Sequence, residues 1–329
     1  MDSKASPLFS EYVIDGVRQE LTPAQIVKAL SASSSEPSIP FPEFYSKIMV
    51  AKSLLDIIWR KGHFALHNLA LSLDWRWNTS ELGGMASFYS AVAAAADFID
   101  SLSVRISSYS FREARRGVGS LKVGARVAPS AGLEDELDDD DVRMSTQSAQ
   151  GGKLKADPQS WIIYIPFEHC QYRFGGSLLA RSLSVTGSVP PQIVDADYFI
   201  DGYEVIRELV EDGIVKAGAT VLEGGLMNAL QGMAVQNGAA ISVNDICRAR
   251  GGELKVRVLF GEVPGVVLQI ADIDFDYVDA EFILQDVAYY PLGHIVPGLD
   301  GLSAGTDSTR SIAGIVGSLI GCRAIEGED

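Results

Sequence analysis

The sequence predicts an α+β fold, and three stretches carry that prediction. Leu69, Leu71, Leu73 and Trp75 alternate with Ala70, Ser72 and Asp74, the period of a strand with one buried face. On either side lie helical stripes: Phe44, Ile48, Leu55 and Ile58 before it, and Met85, Phe88, Val92, Ala95 and Ile99 after it. Beyond residue 160, apolar strand-like runs alternate with amphipathic helical ones, which indicates a layered sheet-and-helix domain.

Taken in order, residues 1–41 read as an extended arm. Thr22-Pro23 supplies a cap and a first-turn proline for one short helix around Thr22–Leu30. A helix of about 18 residues from Pro42 opens a first domain over 42–128. The strand at Leu69–Trp75 and the second helix follow, and Val104, Ile106 and Ser108 suggest another strand. Residues 129–160 break the pattern: Ala131–Asp141 reads AGLEDELDDDD, with little apolar material after it. Such a segment buries too little to offset its ordering entropy and reads as a solvated linker or surface insertion, or as an acidic tether for a basic partner. It lacks the spaced ligands and glycine of a calcium loop.

The second domain, 161–300, starts with the apolar run Trp161–Pro166. A helix with Val205, Ile206, Leu209, Val210 and Ile214 inward comes next, then a double-glycine turn at Glu223-Gly224-Gly225 leading into a helix with Leu226, Leu230 and Met233. Leu254, Val256, Val258 and Phe260 alternate as a strand, Val266–Ile270 is another, and Tyr277–Asp286 is a helix before the Pro-Leu-Gly-His turn that ends at His294. Residues 301–329 read as a terminal helix and tail.

Composition narrows the function. With 329 residues and 47% hydrophobic against 21% charged side chains, the chain can bury a large core in two domains. A net charge of −16 argues against non-specific nucleic-acid binding and against attraction to anionic lipid. No apolar run is long enough for a membrane span. Asp2, Glu11 and Asp15 interrupt the first 30 residues, so no secretory signal is expected, and the predicted location is the cytoplasm or an organelle matrix. Cys170, Cys247 and Cys322 are far apart and read as reduced structural thiols, while His63, His67, His169 and His294 are too scattered for a metal centre.

The order of these segments resembles the AIR synthase superfamily, and within it the second synthase half of the phosphoribosylformylglycinamidine synthases. Ser46–Ala51 with Ile57-Ile58-Trp59 is similar to the family's early helix, and Leu71–Trp77 to its strand ending in a paired-tryptophan turn. Phe88–Leu102 and Val104–Phe111 resemble the next helix and strand. In the second domain, Gly175–Ala180, Glu223-Gly224-Gly225 and Leu259-Phe260-Gly261-Glu262 with Pro264-Gly265 resemble the family's glycine turns and the approach to its carboxy-terminal strand. Coverage is roughly 42–112 and 161–296. The resemblance implies a two-domain lobe, a mixed or antiparallel sheet domain followed by a layered α/β domain. It also implies a partner, because the family's first domain is half of a composite barrel. A dimer or a place in a heteromeric complex is therefore expected.

The resemblance also implies where chemistry would sit. Active members place Gly-Lys-Asp-Ser where this chain has Tyr109-Ser110-Phe111-Arg112, so only Arg112 could supply positive charge, and it is displaced. The family's Ser-Asp-Gly-Gly is here Leu222-Glu223-Gly224-Gly225. Glu223 could hold magnesium while the amides of Gly224 and Gly225 face the phosphate of ATP; alternatively the glycines only permit a tight turn and close helix packing. No counterpart of the first synthase half and no glutaminase is visible in the sequence. The expectation is a degenerate homologue without catalytic residues or cofactor, kept as a structural or interaction subunit. The alternative is a working subunit of a split ATP- and magnesium-dependent ligase of purine biosynthesis.

Overall fold

The computed structural model describes residues 13–14, 17–18, 41–59, 65–115, 119–127, 152–168, 173, 175–178, 190–234, 239–242, 255–297, 301–303 and 308–309. Two two-residue strands, β1 (Val13–Ile14) and β2 (Val17–Arg18), pair antiparallel near the amino terminus. The helix expected around Thr22–Leu30 lies outside the described residues.

The first sheet has the order β4-β3-β5, with β3 (Leu69–Trp77) parallel to β4 (Arg105–Glu113) and antiparallel to β5 (Ser120–Val127). Helices α1 (Pro42–Ile57) and α2 (Gly84–Ser101) cover one side of it. Proline in the first turn of α1 suits a position where no amide is needed. Leu71, Leu73, Trp75 and Trp77 point at the helices, as the alternation predicts. Of the expected stripe on α2, Ala95 and Ile99 are buried and Phe88 and Val92 pack against the core, with Ala91 and Phe98 buried beside them, whereas Met85 is 61% exposed. Alanines let α2 approach α1 closely, close enough for the Ser46 hydroxyl to donate to the Ala91 carbonyl at 2.8 Å. Met85, in the first turn, is left outside. Phe88 keeps its predicted role and packs edge-on to Trp75 and against Phe111.

The second sheet, in the order β10-β6-β9-β7, is antiparallel throughout: β6 (Ser160–Pro166), β7 (Val215–Val221), β9 (Gly265–Ala271) and β10 (Tyr290–His294). Among the described residues three further helices precede β9: α3 (Ala196–Glu211), α4 (Gly225–Ala234) and α5 (Lys255–Phe260). A sixth, α6 (Phe275–Leu284), packs with α3. Asp195 caps α3 by accepting the Tyr198 amide at 3.0 Å. A small third sheet, β11-β8-β12-β13, joins Val296–Pro297, Ala239–Ser242, Gly301–Ser303 and Ser308–Thr309. One apolar cluster runs through both larger sheets, and the Phe98 and Phe199 rings meet at 5.6 Å where α2 and α3 cross.

Three expectations need correction. The run over Leu254–Phe260 is not a strand: Lys255–Phe260 is the helix α5, packed on α4. Seven alternating residues cannot separate the two periods, and Val258, Leu259 and Phe260 are buried consecutively, as a strand with one open face would not allow. The solvated linker does not extend to residue 160. The Gly152 amide donates to the Gly218 carbonyl and the Leu154 amide to Met233, Leu154 is buried, and the Gln269 side chain bonds both backbone groups of Lys155. One leucine and one buried amide side chain are enough to hold this segment down. Gly301–Ser303 and Ser308–Thr309, at the start of the expected terminal helix and tail, are strands, and residues 310–329 lie outside the described residues.

Candidate functional site

The glycine turn follows directly from its sequence. Strand β7 ends at Val221, Leu222 stays buried, and the chain reverses through Gly224 at φ +79° and Gly225 at φ +69° into α4. Both angles lie where a side chain is disfavoured. A Cβ on Gly225 would sit 2.8 Å from the Leu259 oxygen and the Phe260 backbone, so α4 and α5 pack through this residue. The Asn228 side-chain amide donates to the Glu223 carbonyl at 2.7 Å and fixes the turn from the helix side.

The groups expected to meet a nucleotide are engaged within the chain. The Gly224 amide donates to Glu262 Oε1 at 2.8 Å, and the Leu178 amide donates to the same oxygen at 2.7 Å. The Gly225 amide donates to the Leu222 carbonyl at 2.7 Å. Glu223 is exposed and pairs with Lys52 Nζ on α1 at 3.2 Å. A carboxylate therefore stands where a phosphate was expected, and its charge would repel one. Among the described residues no group of three or more His, Cys, Asp or Glu side chains is arranged to hold a metal ion. These residues do not fit a magnesium nucleotide in this arrangement.

Arg112 is elsewhere. It lies on β4 in register with Arg76, exposed, and among the described residues no bond or ion pair links it to the glycine turn. Of the aligned quartet, Tyr109 is 81% exposed and the Ser110 hydroxyl donates to Asp74. Lys52 and Glu262 are the two residues that the sequence did not single out for a role. Glu262 stood in a quoted motif, but nothing local shows that it reaches two amides; Lys52 is 171 positions from Glu223 and gives no local signal.

Elsewhere, Glu113 at the end of β4 collects the amides and hydroxyls of Thr79 and Ser80, and so staples the turn after the tryptophan pair. The Thr79 hydroxyl, with the other three donors, holds the Glu113 carboxyl below its ordinary range. His294 packs at a tilt against Trp161 and bonds the Ser160 carbonyl, His67 is exposed, and the three cysteines, His63 and His169 lie outside the described residues.

No protein-family model matches the chain. It is 24% identical to human phosphoribosylformylglycinamidine synthase over 288 residues, which is 83% of this chain and 20% of that protein. The Drosophila melanogaster enzyme is 24% identical over 77% of this chain and 19% of its own length. The chain thus spans about a fifth of the curated relatives it matches. Among solved structures, Thermotoga maritima PurL complexed with ATP superposes with a TM-score of 0.56 at 12% identity, over 85% of this chain and 42% of that one. Escherichia coli HypE, a hydrogenase maturation protein, superposes at 0.54 and 16% identity over 93% of this chain and 92% of its own. The fold is AIR synthase-like. Among the described residues the mixed first sheet and the layered second domain follow in the expected order. No helix among the described residues is long and apolar enough to cross a membrane.

Proposed function

We propose that this chain is a catalytically silent phosphoribosylformylglycinamidine synthase-like protein that serves as a structural or interaction subunit of a larger assembly, in the cytoplasm or an organelle matrix. One observation carries the reading: the Gly224 amide and its neighbour from Leu178 are held by the chain's own Glu262 carboxylate. A phosphate would have to displace an anion already bonded to two amides, and Arg112 is not at hand to compensate. No cofactor is needed for such a role. Assembly is supported by β4, an edge strand among the described residues, where Ile106, Tyr109 and Phe111 are exposed, as are Met85 and Tyr89 of α2. A dimer or a heteromeric complex would cover this apolar edge. The test is a thermal shift with magnesium and ATP. We expect none; a rise of several degrees, as a ligand bound only by the native state must produce, would count against the reading.

The similarity to the human enzyme across most of the chain favours one other reading, a subunit of a split ATP- and magnesium-dependent synthase of purine biosynthesis. Relatives of this fold include PurL complexed with ATP. Co-purification with a larger synthase-like chain, together with glutamine-dependent phosphate release, would support that alternative.

A further inference from the structure

We infer that the outward side of α6, in the second domain, is a docking surface for a basic, amphipathic helical segment of a protein partner. A surface helix usually has one apolar stripe and turns a polar face to water. Helix α6 is apolar on two sides. Inward, Val278 and Phe282 are buried, and Phe275 packs on Trp161 at 4.8 Å. Outward, Tyr277, Ala280 and Leu284 recur at the three- and four-residue steps of one helix face, with Ile283 beside Ala280 and Ile273 in the short turn that leads into the helix. Ile273 is 89% exposed, Leu284 74%, Ile283 68% and Tyr277 48%. Large apolar side chains grouped in this way mark an interaction surface.

Charge selects the occupant. Residues 272–289 hold six acidic side chains and no Lys, Arg or His. Asp272 accepts the Trp161 indole at 2.7 Å and Asp279 accepts the Tyr289 hydroxyl, which leaves Asp274, Asp276, Glu281 and Asp286 around the stripe. The end of α3, which packs with α6, adds the exposed Glu208 and Asp212. The one cation of α3, Arg207, is already held by Glu204, Glu208 and Glu211. Tyr277 senses both helices: the Glu281 charge first, then desolvation, then the charges of Asp212 and Glu208 push its hydroxyl above the ordinary tyrosine value. A helical segment with apolar side chains on one face and Lys or Arg along its flanks satisfies both the stripe and its acidic rim. A second copy would set acid against acid, and nucleic acid or an anionic membrane would meet the same repulsion. The chain's own ends do not complement it either: residues 1–40 carry five acidic against three basic side chains, and 310–329 carry three against two. This surface belongs to the second domain rather than to β4, so it adds a heteromeric contact to the assembly reading, and it stands whether or not the glycine turn binds ATP.

The test uses the full chain and two labelled peptides of identical composition, an amphipathic Leu–Lys helix and its scrambled sequence, with binding read by fluorescence anisotropy at physiological salt. The amphipathic helix should bind about fivefold tighter than the scramble, because the scramble meets the charge but not the stripe. Y277S/L284S should weaken the amphipathic helix by about tenfold or more, whereas L82S/V194S, two other exposed apolar side chains, should alter it by less than about twofold. D212N/E281Q should weaken it by about threefold and flatten its salt dependence, and D97N/D100N on α2 should do neither. Tyr277 and Leu284 are exposed, and urea midpoints check that every variant folds; if Y277S/L284S does not, D212N/E281Q decides. No binding by the wild type, equal binding of the scramble, equal loss in the stripe and control pairs, a self-association abolished by Y277S/L284S, or binding of phosphatidylserine vesicles lost in the same variant would each overturn the proposal.

Discussion

Replacing Glu262 by alanine should both destabilise the protein and open the glycine turn to anions. The carboxylate accepts two backbone amides, from Gly224 at 2.8 Å and from Leu178 at 2.7 Å. Hydrogen bonds to a charged acceptor contribute about 1.5–3 kcal/mol each, and Glu262 is only half-buried, so water recovers part of the loss. The expected cost is about 2–4 kcal/mol for E262A. E262Q keeps a neutral acceptor of the same length and should cost about half as much. Urea midpoints by tryptophan fluorescence measure the first effect. The second is read by thermal shift in phosphate or sulfate, where E262A, with two freed amides beside a helix start, should gain more than the wild type. Stability of E262A within about 0.5 kcal/mol of wild type would refute the reasoning, because surface changes away from any special feature fall in that range. So would an equal gain from anions in both proteins.

Three further outcomes follow from the same geometry. G225A should lose about 2–4 kcal/mol, since a Cβ at φ +69° costs about 1–2 kcal/mol and also collides with the α5 backbone 2.8 Å away; a urea midpoint unchanged from wild type would contradict this. K52A should cost less than about 1 kcal/mol, because its pair with Glu223 is largely in solvent. Glu113 titrates below its ordinary 4.5 in the folded state, so its stabilisation is complete above that pH and is lost as the pH falls through the folded value. The wild type should therefore lose stability in acid relative to E113Q, and parallel midpoint-against-pH curves would exclude the effect.

How much of this was legible depended on the range of the interaction. The strand Leu69–Trp77 and the helices from Pro42 and before Ser101 announce themselves, because a period of two or 3.6 is a local property. The turn at Gly224 and Gly225 is legible for the same reason: two positive φ angles in a row select glycine. The run Lys255–Phe260 misled because its partner decides its state, and that partner is α4 rather than a strand. What fills the anion position could not be read at all. Glu262 lies 38 positions from Gly224 and Lys52 lies 171 from Glu223, and a carboxylate's hydrogen-bond partners at such distances leave no pattern in the chain.

The two sheets should unfold together, because a buried apolar cluster joins them beside the polar links such as Lys52 to Glu223. Phe199 on α3 meets Phe98 of the first domain at 5.6 Å and Phe167 of the second at 5.1 Å, all three inside one cluster. Trp59, after α1, donates to the Thr220 hydroxyl on β7 at 2.9 Å and rests over Gly218, where a Cβ would lie 2.1 Å from its ring. An interface of this kind resembles the interior of one domain, so tryptophan fluorescence and far-ultraviolet dichroism should give coincident urea transitions. F199A removes the ring shared by both halves and should cost about 3–5 kcal/mol. If that ring is the coupling element, the variant's two probes should separate, with the first-domain tryptophans reporting a different midpoint from the bulk of the secondary structure. Separate transitions already in the wild type would show that the shared cluster does not couple the halves, and a lobe that opens at its own seam would have to be held shut by its partner.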